Sequence, residues 1–202
     1  MTRLEQDEIR AAVTAERTEL AGVLAGLRPE QWDAATLCEG WRVREVVAHM
    51  TMPYRMSAPR FLIDFARSGF RFNPMADRCA KRDAARLTSD ELLTCLQDNV
   101  AHPWQPPGGG LLGALSHDVI HGLDITIALG LGRSVPAYRM DLVLSGLSAK
   151  SVAFFGADLA GVSLQATDRD WSFGAGRPVR GEAQDLLMVI CGRKLPPGHL
   201  SG

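Results

Sequence analysis

One apolar segment constrains this chain more than any other feature. Residues 111–131 read LLGALSHDVIHGLDITIALGL and are apolar around most of a helical circumference, which predicts a deeply buried helix. At 3.6 residues per turn, His117, His121 and Asp124 fall along one stripe of that helix. Because a buried polar group without a partner costs about 1–3 kcal/mol, this stripe must find partners elsewhere in the fold.

A divalent metal would satisfy the two histidines of the stripe. Side chains at positions i and i+4 have Cβ atoms ~6 Å apart, so both imidazoles can turn toward one ion at ~2.1 Å. His49, in the helical segment VVAHM, can supply a third nitrogen if the two helices lie side by side. Three imidazole ligands leave a coordination position open, which is typical of a catalytic site. The alternative is a set of satisfied core or boundary histidines that bind no metal.

Periodicity and turn signals predict a mainly α protein. Four principal helices joined by loops are expected, which is the pattern of a helical bundle. The helical ranges are 3–27, 41 to about Pro53 (which kinks or ends the helix), 57–67, 73–100 with a start signal at Thr88, 111–131, and 137–155. The HPWQPPGGG stretch over 102–110 is predicted to be a loop.

The last fifty residues differ in pattern from the bundle. VSLQATD and WSFG alternate in the manner of strands, and GEAQDLLMVICGRK is typical of a helix that ends at Gly192. We therefore expect two units: a metal-binding helical bundle over residues 1–157 and a small C-terminal α/β domain over 158–202.

Composition excludes several function classes. The net charge is −1, with 22 basic and 23 acidic residues interspersed, so nucleic-acid binding is not expected. No apolar stretch is long enough to cross a bilayer, and MTRLEQDEIR lacks the pattern of a signal peptide. The four cysteines are scattered without a C-x-x-C pair, which favours free thiols. A cytoplasmic protein without membrane contact is expected.

Two segments carry a family resemblance. TLCEGWRVREVVAHM has a T-x-C-x-G-W turn followed by a helix with a histidine near its end, met here by Thr36, Cys38, Gly40, Trp41 and His49. HDVIHGLDITIALG has the second pattern, a ligand four residues before a histidine and then H-x-x-D-x-x-x-A-x-G. The chain resembles the mycothiol-dependent maleylpyruvate isomerase-like family of the DinB-like metalloprotein superfamily, and ATDRDWSFGAG with the closing Gly-Arg resembles its small C-terminal domain.

The resemblance implies a DinB-like four-helix bundle, a divalent metal and a low-molecular-weight thiol as co-substrate. His49, His117 and His121 would be the ligands of zinc, with nickel as the alternative, and mycothiol the thiol. The implied function is a transferase or isomerase in which the metal activates the thiol for attack on a small electrophile. The isomerase carries a glutamate where this chain has His117, which weakens the assignment of maleylpyruvate as substrate. A metal-dependent hydrolase and a non-catalytic metal-binding or stress-response protein are the alternatives.

Four further residues are site candidates. Asp124 can orient a ligand imidazole and take part in catalysis, or it can be solvated or pair with a neighbouring helix. Trp41, Arg82 and Arg193 are candidates for binding the thiol cofactor. Their alternative roles are packing for Trp41, a solvated face for Arg82 and a helix cap for Arg193. Members of this family often pair, so a homodimer is expected.

Overall fold

The computed structural model describes residues 2–202. The helices are α1 (Arg3–Ala25), α2 (Val43–Arg55), α3 (Ala58–Arg67), α4 (Phe72–Ala84), α5 (Ser89–Gln97), α6 (Gly110–Ala128), α7 (Ala137–Ser145), α8 (Ala149–Phe155) and α9 (Ala183–Ile190), with a short 3-10 helix at Pro29–Asp33. The strands are β1 (Val162–Ala166), β2 (Ser172–Gly174), β3 (Arg177–Gly181) and β4 (Leu200–Ser201). None of the helices within residues 2–202 is long and apolar enough to span a membrane.

The bundle consists of α1, α2, α5 and α6. Helix α1 packs on α6 and α5, and α2 packs on the same two helices, so the four enclose one core. Apolar side chains at helical spacing fill it, among them Leu20 of α1, Val46 of α2, Leu96 of α5 and Ile125 of α6. Helix α4 covers the outer side of α2, and α3 packs on α4. The predicted fold class, a helical bundle with a small C-terminal α/β part, is confirmed.

Local signals explain where several helices begin and end. Thr2 and Glu5 form a capping box at the start of α1, and Thr88 and Glu91 form another at the start of α5. The start signal read at Thr88 is thus confirmed. Pro53 lies inside α2, which continues to Arg55. Since proline has no N–H, the carbonyl of His49 one turn earlier receives no helical hydrogen bond.

The prediction of one helix over 137–155 was wrong. The segment forms α7 and α8, because Gly146 ends the first and Ser148 caps the second. The helical region predicted over 73–100 divides into α4 and α5 at residues 85–88, where the start signal at Thr88 lies.

The C-terminal part is a four-stranded sheet in the order β2-β1-β3-β4, covered by α9. Strand β1 pairs antiparallel with β2 and parallel with β3, and the sequence analysis missed both β3 and β4. Helix α9 also packs on α6 and α7, where Leu187 and Met188 join a core shared with the bundle. This packing carries the residues that follow α9 to the side of α6. The boundary between residues 157 and 158 stays a prediction.

Candidate metal centre

Three histidines from two helices meet at one point. His49 lies on α2, while His117 and His121 occupy successive turns of α6. Each offers one ring nitrogen, and the three nitrogens lie within 4.8 Å of one another. The ring centroids are 4.8–5.1 Å apart. The packing of α2 beside α6 thus brings together the three residues predicted from the sequence.

One pair of these nitrogens has the spacing of two ligands on the same metal ion. Four ligands at 2.0–2.1 Å in a tetrahedron lie about 3.3 Å apart, a figure that follows from the usual zinc–nitrogen bond length. The Nε2 atoms of His49 and His117 are 3.2 Å apart. The donor set therefore fits zinc or another divalent ion that accepts imidazole.

Two of the three imidazoles are oriented by carboxylates. Nδ1 of His117 lies 2.9 Å from Oδ1 of Asp118, and Nδ1 of His121 lies 3.0 Å from Oδ2 of Asp124. A carboxylate accepts hydrogen bonds, so in each neutral ring Nδ1 carries the proton and Nε2 keeps its lone pair. This is the arrangement that orients metal-binding histidines in proteins. His49 lacks it, because its buried Nδ1 has no hydrogen-bond partner within residues 2–202.

An arginine holds each of these carboxylates. Nε of Arg17 donates to Asp118 at 2.7 Å. Arg193 donates twice to Asp124, from Nε at 2.7 Å and from Nη2 at 2.9 Å. The result is two parallel chains, Arg17–Asp118–His117 and Arg193–Asp124–His121. In each chain the charges of the arginine and the aspartate cancel.

Burial keeps His49 and His121 in the neutral form that binds metal. It lowers the pKa of His49 well below the ordinary value of 6.5, and the neighbouring imidazoles lower it further. Burial also lowers the pKa of His121, although the hydrogen bond to Asp124 opposes this. For Asp124, burial favours a higher pKa, but the hydrogen bonds from His121 and Arg193 outweigh it and hold the pKa below the ordinary value. At neutral pH His49 and His121 are neutral and Asp124 is ionised.

Two indole rings border the cluster, which stays partly open to solvent. The side chains of His117 and His121 are 15% and 12% exposed. The ring of Trp41 lies 5.0 Å from that of His49 and 6.2 Å from that of His121, and its Nε1 donates to Asp77. The ring of Trp104 meets His117 edge-on at 5.1 Å. The partly exposed imidazoles of His117 and His121 therefore lie beside aromatic surfaces.

The remaining candidates separate into two groups. Arg193 and Trp41 adjoin the cluster, as described above. Arg82 instead pairs with Asp64 at 2.9 Å and with Asp83 at 3.0 Å. It lines a cavity of about 200 Å³ whose lining contains none of the three histidines. As a contact to the cofactor, Arg82 stays a prediction.

Sequence reasoning missed Asp118, Arg17 and Trp104. Asp118 had a local signal, because it directly follows His117 in HDVIH. Arg17 and Trp104 had none, since their contacts to the site depend on how distant segments pack. Burial raises the pKa of Cys38 to about 11, so this cysteine stays a thiol, in keeping with its exclusion from the candidate site.

Part of this chain matches a known protein family. Residues 13–103 match the family model described as mycothiol maleylpyruvate isomerase N-terminal domain. Over these residues the chain is similar to that family. The match includes His49 and the T-x-C-x-G-W turn, and it ends before His117 and His121. The resemblance stated from the sequence is confirmed.

Two solved structures share the fold over nearly the whole chain. One is a mycothiol-dependent maleylpyruvate isomerase with a histidine-to-alanine mutation, at 16% identity and a TM-score of 0.57, covering 96% of this chain and 93% of that one. The other is the mycothiol-dependent maleylpyruvate isomerase, at 15% identity and a TM-score of 0.56, covering 100% of this chain and 95% of that one. At these identities the likeness is one of fold. A comparison with curated proteins found no match.

Proposed function

We propose that this protein is a divalent-metal enzyme that uses mycothiol as co-substrate in a transferase or isomerase reaction on a small electrophile. The observation that carries the proposal is the convergence of three imidazole nitrogens within 4.8 Å at a partly open site. Zinc is the proposed metal and nickel the alternative. His49, His117 and His121 would hold it.

The charge of the site favours an anionic fourth ligand. The three ligands are imidazoles, and each aspartate behind them is paired with an arginine. The protein therefore supplies no net negative charge to balance a divalent ion. A metal bound here would act as a Lewis acid and favour the thiolate form of a coordinated thiol. Mycothiol, through its sulfur, meets this requirement.

The surrounding residues have separate proposed roles. Asp124 fixes the tautomer of His121 and is itself held by Arg193, so that Nε2 of His121 keeps its direction. Trp41 supplies an apolar wall next to His49 for the thiol cofactor. Arg193 is 18% exposed beside the same site and is the proposed polar contact to that cofactor.

Metal content tests the first part of this proposal. Tag-free protein should carry about one equivalent of zinc or nickel by elemental analysis, and the His121→Ala variant should carry none. His199→Ala is the matched control, because His199 also hydrogen-bonds to an aspartate, Asp185, but lies outside the cluster. Full metal content in His121→Ala, or no metal in the wild type after reconstitution, would overturn the metal assignment.

Thiol binding tests the second part. In protein reconstituted with Co²⁺, mycothiol should produce a sulfur-to-cobalt charge-transfer band, because the sulfur would coordinate at the open position. A thiol-free analogue with the same sugar groups is the control and should produce no such band. Cobalt-loaded protein whose spectrum mycothiol leaves unchanged would favour the metal-dependent hydrolase or the non-catalytic protein.

Two expectations about the cellular form accompany this function. We propose a homodimer, which light scattering on the purified protein tests by its molar mass. We also propose a cytoplasmic location, for which a fluorescent fusion is the direct measurement.

A further inference from the structure

The loop HPWQPPGGG lies against the candidate metal centre. So does one buried arginine that is distant from this loop in the sequence. We propose that Arg17 is a positioning residue that acts on both sides of ligand His117. Its guanidinium holds Asp118, which orients the imidazole, and it also holds the loop that places Trp104 against that imidazole. The part of this proposal that concerns metal binding rests on the proposed function.

Arg17 is fully buried, and its partners come from distant segments. The residue lies on α1 with no exposed surface. Its Nε donates to Asp118 on α6 at 2.7 Å, and its Nη1 donates to the carbonyl of His102 at 2.7 Å. The guanidinium also lies over the ring of Tyr54, 5.5 Å from its centroid. Because the fork of an arginine is planar and rigid, it fixes the direction between these two acceptors.

The first acceptor leads to the metal ligand. Asp118 is 1% exposed, and while Oδ2 accepts from Arg17, Oδ1 accepts from Nδ1 of His117. A shift of this carboxylate would turn the ring of His117 and move Nε2 away from the other two imidazoles. Arg17 therefore controls the direction of a ligand that it does not touch.

The second acceptor leads to the wall of the site. Nδ1 of His102 accepts from the backbone N–H of Trp104 at 3.1 Å, and the ring of His102 packs on Tyr54 at 4.8 Å. Trp104 in turn meets the ring of His117. Arg17 thus anchors the segment that covers the outer side of His117.

One residue of the loop, Pro106, packs closely on the start of α6. A Cβ added to Gly109 would lie 2.9 Å from Cγ of Pro106, and one added to Gly113 would lie 3.0 Å from the same atom. The glycines therefore allow Pro106 to pack on the first turn of α6. This packing fixes Pro106, two residues after Trp104, on α6.

The test compares two buried arginines, Arg17 and Arg139. Arg17→Lys keeps the positive charge but cannot reach both acceptors with a rigid fork. Arg139→Lys is the matched control, because Arg139 is 3% exposed and pairs with Glu16 and Glu19 outside the metal centre. We expect Arg17→Lys to weaken Co²⁺ binding by about 10- to 100-fold and to change the ligand-field spectrum. Arg139→Lys should leave both unchanged. Wild-type affinity and spectrum in a folded Arg17→Lys would overturn the proposal.

Two measurements on metal-free protein separate this proposal from the proposed function. The first is quenching of tryptophan emission by acrylamide, in which a Trp104→Phe variant of each protein gives the contribution of Trp104. Acrylamide should quench Trp104 more strongly in Arg17→Lys than in the wild type. The second uses the wild type alone and therefore applies even if Arg17→Lys does not fold. In long-range ¹H–¹⁵N NMR spectra, His117 should carry its proton on Nδ1. A proton on Nε2, or an unchanged Trp104 in Arg17→Lys, contradicts the positioning role. Failure of the wild type to bind any metal contradicts only the proposed function.

Discussion

Two neighbouring residues of α1, Glu16 and Arg17, enter two different buried polar clusters. Arg17 joins the candidate metal centre through Asp118. Glu16 joins what we call the closed cluster, formed by Glu16, Glu19, Arg133 and Arg139. In it Glu16 accepts from Arg133 at 2.7 Å and from Arg139 at 2.6 Å, and Glu19 accepts from the same two arginines. Adjacent positions on a helix point about 100° apart, so one turn of α1 serves both clusters.

The two clusters differ in the side chains that are present besides the paired carboxylates and arginines. In the closed cluster two glutamates meet two arginines, and no histidine is included. In the metal centre two aspartates also meet two arginines, but three imidazoles remain with their nitrogens turned toward one point. Buried ion pairs occur in both, so they are poor evidence of function. The imidazole nitrogens that face one another distinguish the candidate metal centre from the closed cluster.

Removing a member of the closed cluster should have the largest effect on stability. Glu16→Ala leaves Arg133 and Arg139 short of a buried counter-charge, which typically costs about 3–5 kcal/mol. The free energy of unfolding, measured in urea, should fall by this amount while the metal content of the folded protein stays the same. Glu30→Ala is the control, because Glu30 is 78% exposed in its pair with Arg28. A variant that loses metal while folded would show that the two clusters are not independent.

A substitution in the candidate metal centre should instead act mainly on metal binding. Asp124→Asn replaces one of the two carboxylate oxygens with an amide donor, so a single acceptor must serve both His121 and Arg193, and metal affinity should fall by about 10- to 100-fold, or about 1.4–2.7 kcal/mol. Competition with a chelator of known affinity measures this change. Asp185→Asn is the control, since Asp185 is also buried and hydrogen-bonds to His199 outside the site. Equal affinity in the Asp124 and Asp185 variants would remove Asp124 from the proposed site.

The same contrast explains what could be predicted from the sequence. The stripe of His117, His121 and Asp124 is local, so helical periodicity alone places it. The partners Arg17 and Arg193 lie 101 and 69 residues from the aspartates they bind, and no local pattern signals such a contact. Only the packing of α1 and of the segment after α9 against α6 brings them there.

The prediction of secondary structure was wrong where the local sequence signals were weak or conflicting. Strand β3 reads RPVRG, and its proline and two arginines give no alternation of apolar residues. Its pairing with β1 decides its conformation. In 137–155 the apolar pattern continues across Gly146, which hid the end of α7.

The neutral histidines should make stability depend on pH in one direction. Because burial lowers the pKa of His49 and His121 in the folded state, the unfolded chain binds protons below about pH 6.5 that the folded metal-free protein does not. The free energy of unfolding should therefore fall with acidification, by up to about 1.4 kcal/mol per pH unit for each histidine. Urea titrations at pH 7.5, 6.5 and 5.5 with a chelator measure this slope. His49→Gln should lower it, whereas an identical slope would mean that His49 is not held neutral.

The smallest expected effect tests how tightly α1 and α6 pack at the closed cluster. Gly22 lies inside α1, and a Cβ added there meets nothing within 4 Å, so Gly22→Ala should stabilise the protein by about 0.5–1 kcal/mol. Gly122 lies inside α6, where the same Cβ would lie 2.9 Å from Nη1 of Arg133 and 3.4 Å from Oε1 of Glu16.

Arg133 cannot easily withdraw, because its side chain is 5% exposed and both Glu16 and Glu19 hold it. The steric conflict should therefore cancel the gain in helix propensity, and Gly122→Ala should have a melting temperature at or below that of the wild type. Thermal unfolding of the two variants side by side measures the difference. An equal rise in both would mean that Arg133 moves aside at little cost, and that the closed cluster packs more loosely than its short ion pairs indicate.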